Sequence, residues 1–445
     1  MTIRFTSTAA LFSSLVIAIA LGACGGVATS SHGDPSRSSP GDGAQSSAPG
    51  ASSDPGAKPA KAPLPVGPYT GKVATTDVSI LYPLPAGAEP RDFVRPAAFG
   101  AYGAVLSRSS LATVLDGQSL DKESAATGDY DALGLVSIRL DPCSARGSAA
   151  APGTCRSEVR LVFQALYEKV ADSIDPSSGT AATDGALHVV YDVPLAELVT
   201  MLEQILTLKK ASGDAATQEL GPHPILVAQG LGGPFAQGLR DIILEHVGEE
   251  RIGRVTFFDH ENSEGRTWTF GVFDRAAVNG AAAVLTATTI PLTDSTTQTI
   301  NGSSAVGTFA SSFADGTSST GADSIATLLS PGRPLPAGAE AASLQSALDA
   351  ALRVQDPTRH DVQTTDCVTC HLAEGARRVG EDVYALSTAK AFTHSRSLAR
   401  VDRRTSVTNL HAFGYLAREV AVMQRTANES VIVADRMSAL LAPPK

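Results

Sequence analysis

The chain is poor in several of the residues that usually announce a function. Its 445 residues hold one tryptophan, four methionines, five cysteines and nine histidines. Charged residues make up 18% and the net charge is −10, so no broad basic field invites a nucleic acid partner. The apolar run from Ala9 to Ala20 falls short of the ~20 residues a bilayer-spanning helix needs. Residues 70–330 lack the common catalytic patterns: there is no nucleophile elbow, no His-Glu-x-x-His and no complete phosphate loop. Gly230-Leu231-Gly232-Gly233 stands before a helix start at Pro234 but without the rest of a phosphate-binding fingerprint, so it reads as a tight turn. With no second Cys-x-x-Cys pair, a closed four-cysteine zinc site is excluded.

What is present is Cys367-Val368-Thr369-Cys370-His371. On a helix, positions i, i+3 and i+4 share a face, so both thiols and the imidazole point the same way. Two cysteines three apart with histidine directly after the second form the attachment signal for c-type haem. A thiol–disulfide redox pair and half of a zinc site are the competing readings. A redox pair normally follows a strand in a βαβ unit, and none is visible here.

The amino terminus carries Arg4, the short apolar run and then Leu21-Gly22-Ala23-Cys24. This is the layout of a secretory signal over residues 1–23. Its end resembles the lipobox of bacterial lipoproteins, which implies that Cys24 is lipidated and begins the mature chain. Gly25 follows, without the Asp-type retention signal, and the resemblance then implies an outer-membrane anchor facing the periplasm or the cell surface. Residues 24–69 are rich in Gly, Ser, Pro and Ala, a composition that reads as a flexible tether. Export suits both haem attachment and disulfides. The cysteines then sort into Cys24 for lipid, Cys367 and Cys370 for haem, and Cys143 with Cys155 as a disulfide.

Residues 70–330 read as an α+β domain of unknown role. Leu135–Leu140 and Val159–Phe163 alternate like half-buried strands. They predict an antiparallel hairpin stapled by Cys143 and Cys155 at its loop. Pro194 opens a helix with Leu195, Leu198, Leu202 and Ile205 on one face. Met201 sits on it as core filler. Pro234 opens another, with Phe235, Leu239, Ile242 and Ile243 inward and Gly248 as its C-cap. Val255–Phe258 and Thr267–Phe273 predict a second hairpin, and residues 282–290 a further strand. The run Pro-Leu-Pro-Ala-Gly-Ala-Glu at 83–89 recurs at 334–340, and the second copy reads as a domain boundary.

From residue 341 the pattern is helical. Leu344, Leu348 and Leu352 form a stripe that stops before Pro357, and a last helix is expected over 429–441 with Asn428 as N-cap. Helix, Cys-x-x-Cys-His and terminal helix within 341–445 resemble the monohaem cytochrome c domain, an all-α fold. The resemblance implies one covalent haem c, His371 as proximal iron ligand and a methionine shortly before the last helix as distal ligand. Met423 is the matching position, with His360, His394 and His411 as rivals. Residues 357–445 carry 12 basic and 9 acidic side chains, against the acidic balance of the whole. Arg396, Arg400, Arg403 and Arg404 cluster where they suit haem propionates or an acidic redox partner.

The expected function is one-electron transfer in the cell envelope, with a redox partner protein and a membrane anchor. Two alternatives stand beside it. One is a haem oxidoreductase with a site on the N-terminal domain. The other is a surface-binding lipoprotein in which haem is incidental.

Overall fold

The computed structural model describes residues 73–84, 92–116, 130–144, 155–169, 179–213, 219–261, 267–276, 284–303, 308–309, 325–329, 339–396 and 409–442. The expected signal segment, Cys24, the tether, and Arg400, Arg403 and Arg404 lie outside them.

In chain order the strands are β1 (Ser79–Leu81), β2 (Phe99–Gly100), β3 (Gly103–Ala104), β4 (Leu133–Ser144), β5 (Arg156–Lys169), β6 (Gly179–Ala182) and β7 (Gly185–Asp192). They continue as β8 (Ile252–Glu261), β9 (Thr267–Ala276), β10 (Val284–Ala287), β11 (Thr297–Ser303), β12 (Thr308–Phe309), β13 (Phe413–Leu416) and β14 (Glu419–Val422). The helices are α1 (Thr75–Val78), α2 (Arg108–Asp116), α3 (Leu195–Ala211), α4 (Pro224–Gln229), α5 (Pro234–His246), α6 (Ala326–Leu329), α7 (Ala339–Val354), α8 (Cys367–Arg378) and α9 (Gln424–Leu440).

Ten strands form one sheet in the order β1-β4-β5-β7-β8-β9-β11-β12, with β6 on β5 and β10 on β9. Every pairing in it is antiparallel. The expected hairpin is β4–β5, and its loop is closed by a disulfide between Cys143 and Cys155. Because side chains alternate across a strand, the sheet has two distinct faces. One bears Val159, Leu161, Phe163, Val189, Tyr191 and Val255, all fully buried. Helix α3, packed on α5, lies against β4 and β5 on this side. The other face bears polar side chains as well as aromatic ones, and α8, α9 and the hairpin β13–β14 cover it.

The mixed α+β class is observed, but the expected separate all-α domain over 341–445 is not. That stretch contains the hairpin β13–β14, and α9 packs on α1 and β4. All described residues fall within one compact unit, Ala62–Lys445. The physical reason lies in burial. Leu344, Leu348, Leu372 and Met437 are buried in the same continuous core as the strands of the sheet.

Helix α5 ends at His246 with Val247 as C-cap, one residue before the expected glycine. Gly248 serves a different purpose: a Cβ there would lie 2.3 Å from the carbonyl oxygen of Tyr102. Helix α9 begins at Gln424, with Met423 as N-cap, five residues earlier than expected. Among the described residues no helix is long and apolar enough to cross a membrane.

Candidate functional site

Helix α8 starts where Asp366 supplies an N-cap. Its carboxylate accepts from the Thr369 backbone N–H at 2.9 Å and from the Thr369 hydroxyl at 2.7 Å. Gln298 of β11 fastens this helix start to the sheet. Its amide donates to Asp366 Oδ1 at 3.0 Å and accepts from the Val368 N–H at 3.2 Å. Asp366 is wholly buried, so these bonds answer a charge that would otherwise be costly. Together they fix which side of α8 faces inward.

That side presents Cys367, Cys370 and His371 to a cavity with about 1090 Å³ of empty space, its open mouth included. The floor consists of cross-strand rows of the sheet. Arg139, Arg160, Val190 and Arg254 are register partners in turn, and Val162, His188, Thr256 and Val272 form the adjacent row. Phe258 and Phe270 stand opposite each other in the next, their rings 5.7 Å apart. Met423, Arg425, Thr426 and Glu429, from the start of α9 beside α8, complete the lining.

The His371 ring rests on both phenylalanines, with centroids 5.3 Å from Phe258 and 5.1 Å from Phe270. Its Nδ1 donates to the Leu410 carbonyl oxygen at 2.5 Å, which leaves the lone pair on Nε2. Among the described residues Nε2 has no hydrogen-bond partner. Burial holds the imidazole down at about 4, so it is neutral at physiological pH. Burial also pushes the Cys367 thiol up to about 12, helped by Asp366 and Cys370, and raises Cys370. Both sulfurs are free thiols.

The ionic groups on the walls are paired. Arg139 and Arg425 both reach Glu429, at 2.8 and 2.7 Å. Burial alone would raise the Glu429 carboxyl, yet Arg425, Arg139 and Arg160 draw it down to about 2. Arg160 bonds Glu158 at 3.1 Å, and Arg254 bonds Asp274 at 2.6 Å. His188 lines the same space and makes no hydrogen bond among the described residues. Burial first, then Arg160, keeps its imidazole well below the ordinary value.

The structure therefore gathers four of the expected site residues, Cys367, Cys370, His371 and Met423, around one cavity. The three rival histidines do not line it. His360 Nδ1 lies 3.3 Å from the Thr364 carbonyl oxygen in the loop before α8, and His394 pairs with Asp435 at 3.1 Å. His411 is buried behind Phe258, with Nε2 3.2 Å from Asp184 Oδ1, within ion-pair distance yet out of line for a hydrogen bond. Arg396 is tied to Asp435 and to the Val73 carbonyl oxygen, away from the cavity. The guanidiniums at the cavity are instead Arg139, Arg160, Arg254 and Arg425. Sequence reasoning missed these and His188, because none belongs to a motif. The β-branched and aromatic run Leu187-His188-Val189-Val190-Tyr191 was the signal that could have placed His188 on a strand.

No family model matches the chain, and no curated protein or solved structure is detectably similar to it.

Proposed function

We propose that Cys367 and Cys370 hold one haem c covalently, that His371 is its proximal iron ligand, and that the protein carries single electrons in the cell envelope. The observation that supports this is the shared cavity: two free thiols and an imidazole with an uncommitted Nε2 line one open space. The competing chemistries fit less well. A redox-active thiol needs a lowered pKa, and here burial raises both. A bare metal ion needs three or more side-chain donors, and among the described residues no such group exists. A porphyrin supplies four nitrogens itself and asks the chain for one or two.

Each residue then has a task. Cys367 and Cys370 would hold the group through thioethers, each formed by adding S–H across a vinyl double bond, sulfur to one carbon and hydrogen to the other, so that no oxidant would be needed. The Leu410 carbonyl holds the His371 ring in one tautomer and orientation. Phe258 and Phe270 keep water from one side of that ring. Arg139, Arg160, Arg254 and Arg425 offer guanidinium groups to any carboxylate on the bound group. The haem, when bound, supplies iron that cycles between ferrous and ferric states.

The test is a pyridine haemochrome spectrum of the full chain matured with the c-type attachment machinery. A covalent haem band is expected, absent from the Cys367→Ala, Cys370→Ala double variant. Its absence from the unaltered protein overturns the proposal. We further propose that Cys24 is the lipid anchor, a role that demands loss of fatty-acid labelling in Cys24→Ser.

A further inference from the structure

We infer that the sixth iron position, across from His371, is filled by His188 from the sheet and not by Met423. This rests on the haem reading above and adds a ligand that no motif in the sequence marks. Three observations carry it. First, among the described residues His188 and His371 are the two histidines that line the cavity, while His360, His394 and His411 are engaged elsewhere.

Second, the two imidazoles come from opposite walls. His371 belongs to α8, while His188 rises from the middle of β7, between Val162 of β5 and Thr256 of β8. Met423 is tied to the layer that carries α8. Its backbone N–H donates to the Ala412 carbonyl at 3.0 Å, two residues after the carbonyl that holds His371. The next N–H, of Gln424, donates at 3.0 Å to Glu374, which is on α8 itself. A ligand opposite His371 is better supplied by the facing wall than by the wall His371 stands on.

Third, His188 is unspent. Among the described residues it makes no hydrogen bond, and it is half-buried at the cavity, so its ring nitrogens are open to a ligand there.

The experiment uses the full-length holoprotein, first shown to contain covalent haem by its pyridine haemochrome. Near-infrared charge-transfer and electron paramagnetic resonance spectra of the ferric form are then recorded for the unaltered protein, His188→Ala and Met423→Ala. The inference expects a low-spin iron with two nitrogen ligands and no methionine-to-iron band. Met423→Ala leaves that spectrum in place. His188→Ala loses the low-spin signal, and added imidazole restores it. A methionine band in the unaltered protein, or a low-spin signal that survives in His188→Ala, overturns it. The unaltered spectrum decides the matter even if His188→Ala does not fold. A protein without covalent haem would overturn the haem reading itself, and the haemochrome reports that outcome separately.

Discussion

At the scale of single residues, the Cys-x-x-Cys-His run was legible because it is written in consecutive positions, Cys367 to His371. His188 and the arginine rows were not, since only the sheet register brings Arg139, Arg160 and Arg254 side by side. Two outcomes follow at this scale. In protein prepared without haem, burial keeps the Cys367 thiol protonated, with its pKa pushed up to about 12. Alkylation of Cys367 and Cys370 followed by mass spectrometry is expected to be slow in the native state at pH 8 and fast in urea. Rapid native labelling would contradict the raised thiol values, since both sulfurs are half-buried on the cavity lining.

The second outcome concerns His223, which is buried, stacked on Phe235 at 4.9 Å and left with an unpartnered Nδ1. Burial, with Lys209 nearby, lowers it from its ordinary 6.5 to about 4. The unfolded chain then binds the proton more tightly, so the contribution of this group is intact above pH 6.5 and is lost as pH falls towards 4. The unaltered protein should lose roughly 2 kcal/mol between pH 7.5 and pH 5 that His223→Phe does not lose. Urea unfolding of both proteins at the two pH values measures the difference.

At the scale of elements, long periodic segments were readable: α3, the apolar face of α5 and the alternation of β4 and β5 all appear in the chain, although Leu195, expected on the buried stripe of α3, is exposed. The short strands β13 and β14 were not, because four residues carry too little pattern. Their place is set by a distant side chain. Gln164 of β5 accepts from the Tyr415 N–H at 2.8 Å and donates to the Tyr415 carbonyl at 2.7 Å, so its amide acts as a third strand beside the hairpin. Gln164→Leu leaves both groups buried without partners, at a cost of roughly 2–4 kcal/mol. Hydrogen exchange should show the Tyr415 amide losing protection first, ahead of global unfolding. An unchanged exchange rate there would rule out this role. The early start of α9 has a similar origin, since Glu374 of α8 holds the Gln424 N–H, a contact invisible to local periodicity.

At the scale of the whole molecule, sequence reasoning failed on modularity. It divided the chain near residue 334, where a repeated heptapeptide suggested a boundary, but the packing crosses that point. The buried faces of α8 and α9 pack on β11 and β4, and α7 packs on α8. A fragment of residues 341–445 is therefore expected to be largely unfolded by circular dichroism, whereas a self-sufficient cytochrome domain would give a cooperative melt. The opposite end is just as dependent. Asp77 of α1 and Lys209 of α3 form a fully buried ion pair at 2.7 Å. Lys209→Met removes the cation from a buried carboxylate that keeps its bond from the Ala74 N–H, at a cost of about 3–5 kcal/mol in urea unfolding.

The earliest and latest parts of the described chain are fastened to each other. Ser79 and Ser430 share a hydrogen bond of 2.7 Å, and the Val73 N–H donates to the Ser438 hydroxyl at 3.1 Å. A polypeptide delivered front end first cannot complete this clasp until its rear has emerged. The contacts that pin α9 to α1 and β1 can therefore form only after Cys367 and Cys370 have left the ribosome, so the two ends of the described chain meet late in synthesis.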